Sequence, residues 1–177
     1  MFAYCLQCQT QRCKTIAGLL EKHGVDRAFS PQIVSRHRKQ GKIEEVMYDL
    51  LPGYVFAYSE HQLENFEVFS GIDGIIRFLG VSEGRTSGLQ YSDYDFAMNM
   101  YQKNGVVGAI TLLKEGDSVR MQDPLFEKHN GTISYIDHRK QRAKVQFHFD
   151  DKEWTVWVAC DVLYKDTTKP VVNQTGQ

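Results

Sequence analysis

The residues of this chain that could support catalysis or metal binding include four cysteines, six histidines and the adjacent carboxylates Asp150 and Asp151. Cys5 and Cys8 have the spacing of half a zinc site or of a redox pair. No second pair of cysteines or histidines stands at ligand spacing, and a separation of three places the two thiols on opposite faces of a strand. The sequence therefore predicts free thiols in a reducing cytosol, with no metal and no cofactor.

Catalytic motifs are missing as well. The pair Asp150–Asp151 could belong to a metal site, but it precedes Lys152 in a predicted turn, so we interpret it as a solvated hairpin tip. The chain lacks a P-loop, a dinucleotide-binding glycine fingerprint and the Gly-x-Ser-x-Gly elbow of hydrolases. Carboxylates that the fold brings together in a concave site stay open as an alternative, but we do not expect an enzyme.

Charge is concentrated locally, although the formal net charge is only -1. Between Arg12 and Lys42, eight basic residues accompany two acidic ones; between Lys128 and Lys144, five accompany one. Such clusters can contact phosphate backbones. A solvated surface explains each cluster equally well when it is taken alone.

The hydrophobic pattern of the first hundred residues mixes helices with strands. Strands are predicted over 2–8, 33–39, 43–50, 54–58 and 75–79, and helices over 12–23, 60–69 and 92–104. Alternation places Tyr54 and Phe56 on one face of their strand. The tip of the hairpin around Gln40–Gly41 is basic and free to contact a partner. Residues 82–87 are predicted to be a polar loop.

The pattern changes after Gly105. Strands are predicted over 118–122, 131–136, 142–149 and 153–159, which suits a small five-stranded barrel. The predicted fold class is α+β, a mostly antiparallel sheet with packed helices followed by this small β-barrel. We divide the chain into a domain over 1–105, a linker over 106–115 that leads into a strand, a barrel over 116–165 and a disordered tail over 166–177.

Two stretches of sequence resemble a known family, and the similarity extends over about residues 2–164. The stretch 50–58, Leu-Leu-Pro-Gly-Tyr-Val-Phe-Ala-Tyr, is similar to the Pro-Gly-Tyr-Val-Phe signature of the NusG-type N-terminal domain. The glycines, alternation and charges of 116–121, 123–126, 131–137 and 142–145 resemble a KOW motif. The resemblance implies an SH3-like barrel for the second domain, and it implies binding to RNA or protein partners.

The family resemblance also implies roles for individual residues. In the NusG family, the strand that holds the signature lines an apolar depression that grips the clamp helices of the largest subunit of RNA polymerase. At matching positions here, the polymerase anchors would be Tyr54, Phe56 and Phe78; a place in the core is the alternative. The hairpin tip would then lie beside the upstream DNA of the transcription bubble, within reach of Arg36, Arg38, Lys39 and Lys42.

The segment 136–145 looks most like the LoaP branch, whose members are specialised NusG paralogues that suppress termination and are recruited by an RNA hairpin. The barrel turn, Gln122-Asp123-Pro124-Leu125-Phe126, departs from the common pattern, which has a glycine before this proline. If the loops 123–130 and 137–141 lie near one another, they form a cationic face for a nascent RNA hairpin. That face would contain Lys128, His129, His138, Arg139, Lys140, Arg142 and Lys144. A plain turn or a protein-binding face is the alternative.

The leading hypothesis is therefore a processive antitermination factor that binds RNA polymerase and an RNA hairpin. A general elongation factor whose barrel recruits ribosomal or termination proteins is one alternative, and a ribosome-associated RNA-binding protein is another. No signal peptide and no apolar run long enough for a membrane span is visible. We expect a cytoplasmic monomer that does not bind membranes, with a constitutive β-barrel.

Overall fold

The computed structural model describes residues 1–63, 69, 71–82, 85–86 and 88–164. It is a mixed, sheet-rich α/β protein with few helices in this part of the chain. The strands are β1 (Phe2–Cys8), β2 (Arg27–Phe29), β3 (Gln32–Lys39), β4 (Lys42–Asp49), β5 (Tyr54–Ser59), β6 (Ile75–Phe78), β7 (Val81–Ser82), β8 (Arg85–Thr86), β9 (Val106–Val107), β10 (Ile110–Glu115), β11 (Ser118–Gln122), β12 (Thr132–Asp137), β13 (Arg142–Phe149) and β14 (Lys152–Tyr164). The α-helices are α1 (Cys13–Lys22), α2 (Tyr91–Gln102) and α3 (Pro124–Lys128), and a short 3-10 helix precedes α1.

The N-terminal sheet has the strand order β2-β5-β1-β6 and is buried on both faces along β5. One face packs on α1 through its apolar stripe of Cys13, Ile16, Ala17 and Leu20. Before β5 the chain turns at Gly53, whose φ is +85° and where a Cβ would lie 3.1 Å from the Cys8 carbonyl oxygen. Glycine is therefore needed at this turn, which sets the start of β5.

The C-terminal sheet has the order β11-β10-β14-β13-β12 and curls into a half-barrel. Alternation along β13 buries Ala143, Val145, Phe147 and Phe149 and leaves the intervening side chains partly or fully exposed. These side chains belong to one continuous core with β5 and α2. The second face of the N-terminal sheet is thus covered by α2 and by the C-terminal sheet.

A third sheet, β4-β3-β9, joins the two parts. The β3–β4 hairpin turns at Gln40 and Gly41, which both have positive φ, as two-residue hairpin turns require. β3 also contacts β14 of the C-terminal sheet. The segment 106–115, predicted as a linker leading into a strand, contains β9, paired with β3, and β10, paired with β11 and β14.

The main elements agree with the sequence predictions. Eight of the nine predicted strands, including the basic hairpin and β13, and the helices α1 and α2 are confirmed within one or two residues. The last predicted strand, 153–159, is longer in the structure, where β14 continues to Tyr164. The predicted loop 82–87 instead contains part of the small hairpin β7–β8. Residues 64–68 of the predicted helix over 60–69 lie outside the described residues, and the described residues 60–63 are not helical. The predicted tail over 166–177 lies entirely outside the described residues. Along the described ranges, no helix is both long and apolar enough to cross a bilayer.

Candidate functional site

The face of β5 that was predicted to hold polymerase anchors is buried against the C-terminal sheet. Tyr54 is 2% exposed, and its ring makes edge-to-face contacts with Phe149 and Trp154 at 5.9 and 5.5 Å between centroids. Phe56 is fully buried, 5.4 Å from Phe149 and 6.1 Å from Phe96. Contact of these two aromatics with polymerase stays a prediction, and in this conformation neither is accessible to a partner.

A ring of polar groups borders this aromatic contact. The Tyr54 hydroxyl donates to Asp150 at 2.9 Å and accepts from the Lys152 Nζ at 2.9 Å. Arg77 on β6 donates to the same Asp150 oxygen at 3.1 Å, and the Asp150 amide donates to Asp93 at 3.5 Å. The hairpin tip was correctly predicted, but Asp150 is not solvated: its side chain is only 19% exposed and binds the N-terminal sheet.

Burial and hydrogen bonding shift the pKa values of several members of this polar rim. Burial raises the pKa of Tyr54 above its usual value, with the charge of Asp150 acting in the same direction, so the phenol keeps its proton and donates. The hydrogen bonds to Tyr54 and Asp150 raise the pKa of Lys152. Burial is also the main cause of the raised pKa of Asp93. The ring is therefore a charged, hydrogen-bonded rim around an apolar centre.

Phe78 does not belong to the same face as Tyr54 and Phe56. β1 pairs with both β5 and β6, and Leu6 is opposite both Val55 and Phe78. Cβ directions alternate along a strand, so Phe78 points to the side of Val55, where it packs with the α1 core. The predicted grouping of the three aromatics in one depression is wrong, because it depends on strand pairing that sequence alone does not give.

The predicted DNA-binding residues also separate into two groups. Arg36 is only 13% exposed, because its guanidinium contacts Glu45 at 3.1 Å, Asp161 at 2.7 Å and the Cys160 carbonyl at 3.1 Å. Arg36 therefore ties the hairpin to β14 and is not free for DNA. Exposed positions at the hairpin tip are occupied by Arg38, Lys39 and Lys42.

The predicted RNA-binding residues do not form a single face. His129 is buried against Phe96, and burial lowers its pKa, so it is a neutral core residue. Its carbonyl accepts from the amide of His148, whereas the Gln141 carbonyl accepts from the amide of Cys160. Lys128, the last residue of α3, and the 137–141 turn therefore lie near opposite ends of β13. This strand is about 25 Å long at ~3.3 Å per residue.

The remaining predicted RNA-binding residues are close together at one end of the C-terminal sheet. His138 and Arg139 are exposed in the turn, and Lys140 and Lys144 are half-buried. The Arg142 guanidinium lies 4.2 Å above the Trp157 ring and 3.5 Å from Asp137.

Sequence reasoning missed three residues that the geometry makes prominent. Arg77 reaches Asp150, Asp161 holds Arg36, and Trp157 forms the platform under Arg142. Only Trp157 had a signal, since period-two alternation of β14 places a large aromatic outside the core. The other two depend on contacts between residues 73 and 125 positions apart.

The fold and the strand β5, which holds the signature residues Tyr54 and Phe56, correspond to a known family of proteins. A family model described as "Transcription termination factor nusG" matches residues 3–93, which is just over half of the chain. The matched range holds β1 to β8 and the start of α2, including Tyr54 and Phe56. The chain therefore belongs to the NusG family.

Individual relatives are distant. The "Transcription termination/antitermination protein NusG" of Vibrio cholerae is 23% identical over 131 residues, covering 71% of this chain and 72% of that protein. The protein of the same name from Escherichia coli strain K12 is 27% identical over 95 residues, covering 53% and 52%. A solved structure described as "Domain interaction in Thermotoga maritima NusG" shares the fold, with a TM-score of 0.54, 17% identity and coverage of 89% of this chain and 93% of that one.

Proposed function

We propose that this protein is a specialised NusG paralogue of the LoaP type, a processive antitermination factor that acts by binding and not by catalysis. Its N-terminal domain binds the clamp helices of the largest RNA polymerase subunit through Tyr54 and Phe56. Its C-terminal half-barrel is a KOW domain that binds an RNA hairpin. The protein works in the cytoplasm beside the nascent transcript, as a monomer.

One observation carries this proposal. The C-terminal sheet covers Tyr54 and Phe56 through a contact that has an apolar centre and a polar rim. Interfaces between separable partners commonly have this anatomy. Tyr54 and Phe56 lie in the range matched by the family model. Removal of the C-terminal sheet would leave an aromatic depression suited to a helical partner.

Binding to polymerase then requires an open form. If only a fraction of the molecules is open, the apparent dissociation constant rises in inverse proportion to that fraction. In the open form the exposed hairpin tip, with Arg38, Lys39 and Lys42, is available to upstream DNA phosphates. Arg36 joins them only when its contacts with β14 break.

The test of the polymerase contact uses the full chain and a coiled-coil fragment that contains the clamp helices. Asp150→Ala removes the centre of the polar rim, so it should raise the apparent affinity for the fragment. Adding Tyr54→Ala to Asp150→Ala should abolish that gain. Absence of binding by both the native chain and the Asp150→Ala variant would show that this face does not bind the clamp.

A general elongation or termination factor is the second candidate, because the name of the two bacterial relatives includes termination as well as antitermination. The two functions differ in RNA specificity. Salt-dependent binding of the full chain to the leader RNA of the adjoining operon, weakened by Arg139→Ala with Lys140→Ala, supports the specialised function. Equal affinity for leader and random RNA supports the general factor.

A further inference from the structure

A cavity of about 290 Å³ lies between the β3–β4 hairpin and β14. Its walls include Ser35, His37, Tyr48 and Asp49 from the hairpin side and Arg142 and Trp157 from the C-terminal sheet. Small-molecule sites commonly measure about 300–1,000 Å³. This cavity, hereafter the hairpin cavity, is just smaller than the lower limit of that range and suits a single planar ring system.

Aromatic rings line both walls of the hairpin cavity. On one wall, Arg142 lies above the Trp157 ring at 4.2 Å. Tyr135, which does not line the cavity, meets the same ring edge-to-face at 5.9 Å. On the other wall, the rings of His37 and Tyr48 are 5.7 Å apart and share a hydrogen bond of 2.8 Å. Proteins that bind single-stranded nucleic acid use such rings and guanidinium planes to stack bases.

The cavity wall also includes polar groups. The Ser35 Oγ is buried and makes no hydrogen bond with any described residue. A buried polar atom without a partner is costly, so it favours a ligand that supplies one. Asp49 accepts from Gln32 at 3.1 Å and is half-buried. A hydroxyl and a carboxylate are groups that can hydrogen-bond the edge of an unpaired base.

Basic residues of both halves of the molecule converge at one end of this cavity. Arg36 bonds the Cys160 carbonyl, and the Cys160 amide bonds the Gln141 carbonyl, so the hairpin meets the 137–141 turn. Along the chain, His37 is followed by Arg38 and Lys39 at the hairpin tip, and Arg142 is preceded by Arg139 and Lys140 in the turn. A chain of phosphates leaving the cavity at this end therefore meets cations from both turns.

We propose that the hairpin cavity binds one unpaired base of an RNA whose phosphates lie across Arg38, Lys39, Arg139 and Lys140. The proposal rests on the proposed RNA binding and names the element of the RNA that is read. Because both halves of the molecule form the walls, the closed form binds this base most tightly. After opening, only the half-site of Arg142 and Trp157 remains. Binding of polymerase to the open form therefore lowers the affinity for this base, and by linkage binding of the base lowers the affinity for polymerase by the same factor.

The test uses the full chain and short single-stranded homopolymers of each RNA base as probes. The chain has two tryptophans, which give two indole resonances in an NMR spectrum. Stacking in the cavity should shift the resonance of Trp157. The resonance of Trp154, whose indole donates to the Phe149 carbonyl at the other end of the sheet, is an internal control that should stay in place.

Affinity measurements separate stacking from phosphate contacts. Tyr48→Ala should weaken binding by roughly 5- to 140-fold, the loss typical of one stacked base, without changing the salt slope. Tyr48→Phe should keep most of the affinity, and Met47→Ala, at an exposed neighbouring position, should have no effect. Lys39→Ala with Arg139→Ala should instead make the salt slope shallower, by roughly 0.7 per lost phosphate contact.

An unshifted Trp157 resonance together with full affinity in Tyr48→Ala would overturn the proposal and leave RNA bound by surface cations alone. That result would not touch the proposed function, since RNA would still bind. Absence of binding to every homopolymer and to the leader RNA would overturn both the base site and RNA binding. The clamp-helix measurement would then decide separately whether the polymerase contact exists.

Discussion

The two faces of the N-terminal sheet are covered in different ways. Helix α1 follows β1 closely in sequence and covers one face with a stripe of small and aliphatic side chains. The other face is covered partly by side chains from β13 and β14, about a hundred residues away, and is bordered by the polar ring around Asp150. The first cover is a local part of the core, whereas the second has the anatomy of an interface.

This difference implies that the two faces differ in how easily their covers can separate from the sheet. A dry contact between elements adjacent in sequence is difficult to lose without unfolding. A contact bordered by charged groups loses less on exposure, because water replaces the hydrogen bonds at the rim. The face with Tyr54 and Phe56 is thus the one that can be exchanged between the C-terminal sheet and a partner. The following four predictions test this distinction.

The largest effect is expected for Phe149→Ala, because Phe149 touches both Tyr54 and Phe56. Truncation of a buried phenylalanine costs about 3–5 kcal/mol. Urea unfolding should show this loss, and hydrogen exchange should show earlier opening of β5. Leu20→Ala on the α1 face is the matched control, with a cost of about 2–5 kcal/mol. Selective opening of the Tyr54 face in Leu20→Ala would contradict the distinction.

A smaller effect is expected for Asp150→Ala. The Tyr54 hydroxyl then lacks its acceptor while Arg77 and Lys152 lose a carboxylate, which costs about 1–3 kcal/mol. Asp151→Ala is a close control, because both residues have a φ of 52° and share the backbone strain of the turn. The difference between their urea midpoints isolates the polar ring. Equal midpoints would mean that the ring contributes nothing to closure.

The third prediction concerns pH and His129. Burial against Phe96 lowers the pKa of His129 in the folded protein, while the unfolded chain keeps a value near ~6.5. The unfolded state therefore binds more protons in this window, and stability is lost as pH falls below about 6.5. His129→Gln should flatten this part of the stability profile. Equally steep profiles for the native chain and for His129→Gln would contradict this prediction.

Sequence patterns predicted the local elements of the fold well, because they depend on periodicity within one segment. Neighbouring residues alone were enough to predict the alternation of β13, the apolar stripe of α1 and the turn at Gln40–Gly41. The opposite placement of Cys5 and Cys8 was also predicted correctly, since each belongs to a different core cluster.

The candidate site was predicted less well, because it depends on pairing and docking between distant segments. The face of Phe78 follows from the register of β6 on β1, which no local pattern sets. The burial of Arg36 follows from a partner 125 residues away. Asp150 was predicted to be solvated because a hairpin tip usually is, and only the docked sheet makes it the centre of a polar ring.

The smallest effect is expected at the hairpin, the outer edge of the exchangeable contact. A double-mutant cycle of Arg36→Ala and Asp161→Ala should give a coupling of at most about 1 kcal/mol, because Asp161 is 60% exposed. The coupling should shrink in high salt, as expected for a screened pair. Glu45→Ala is the control: it removes an ion pair within the hairpin and leaves the link to β14 intact. A cycle that couples Arg36 to Glu45 but not to Asp161 would mean that this ion pair adds nothing to the link between the hairpin and β14, which would then depend on the bond from Arg36 to the Cys160 carbonyl and on the packing of β3 on β14.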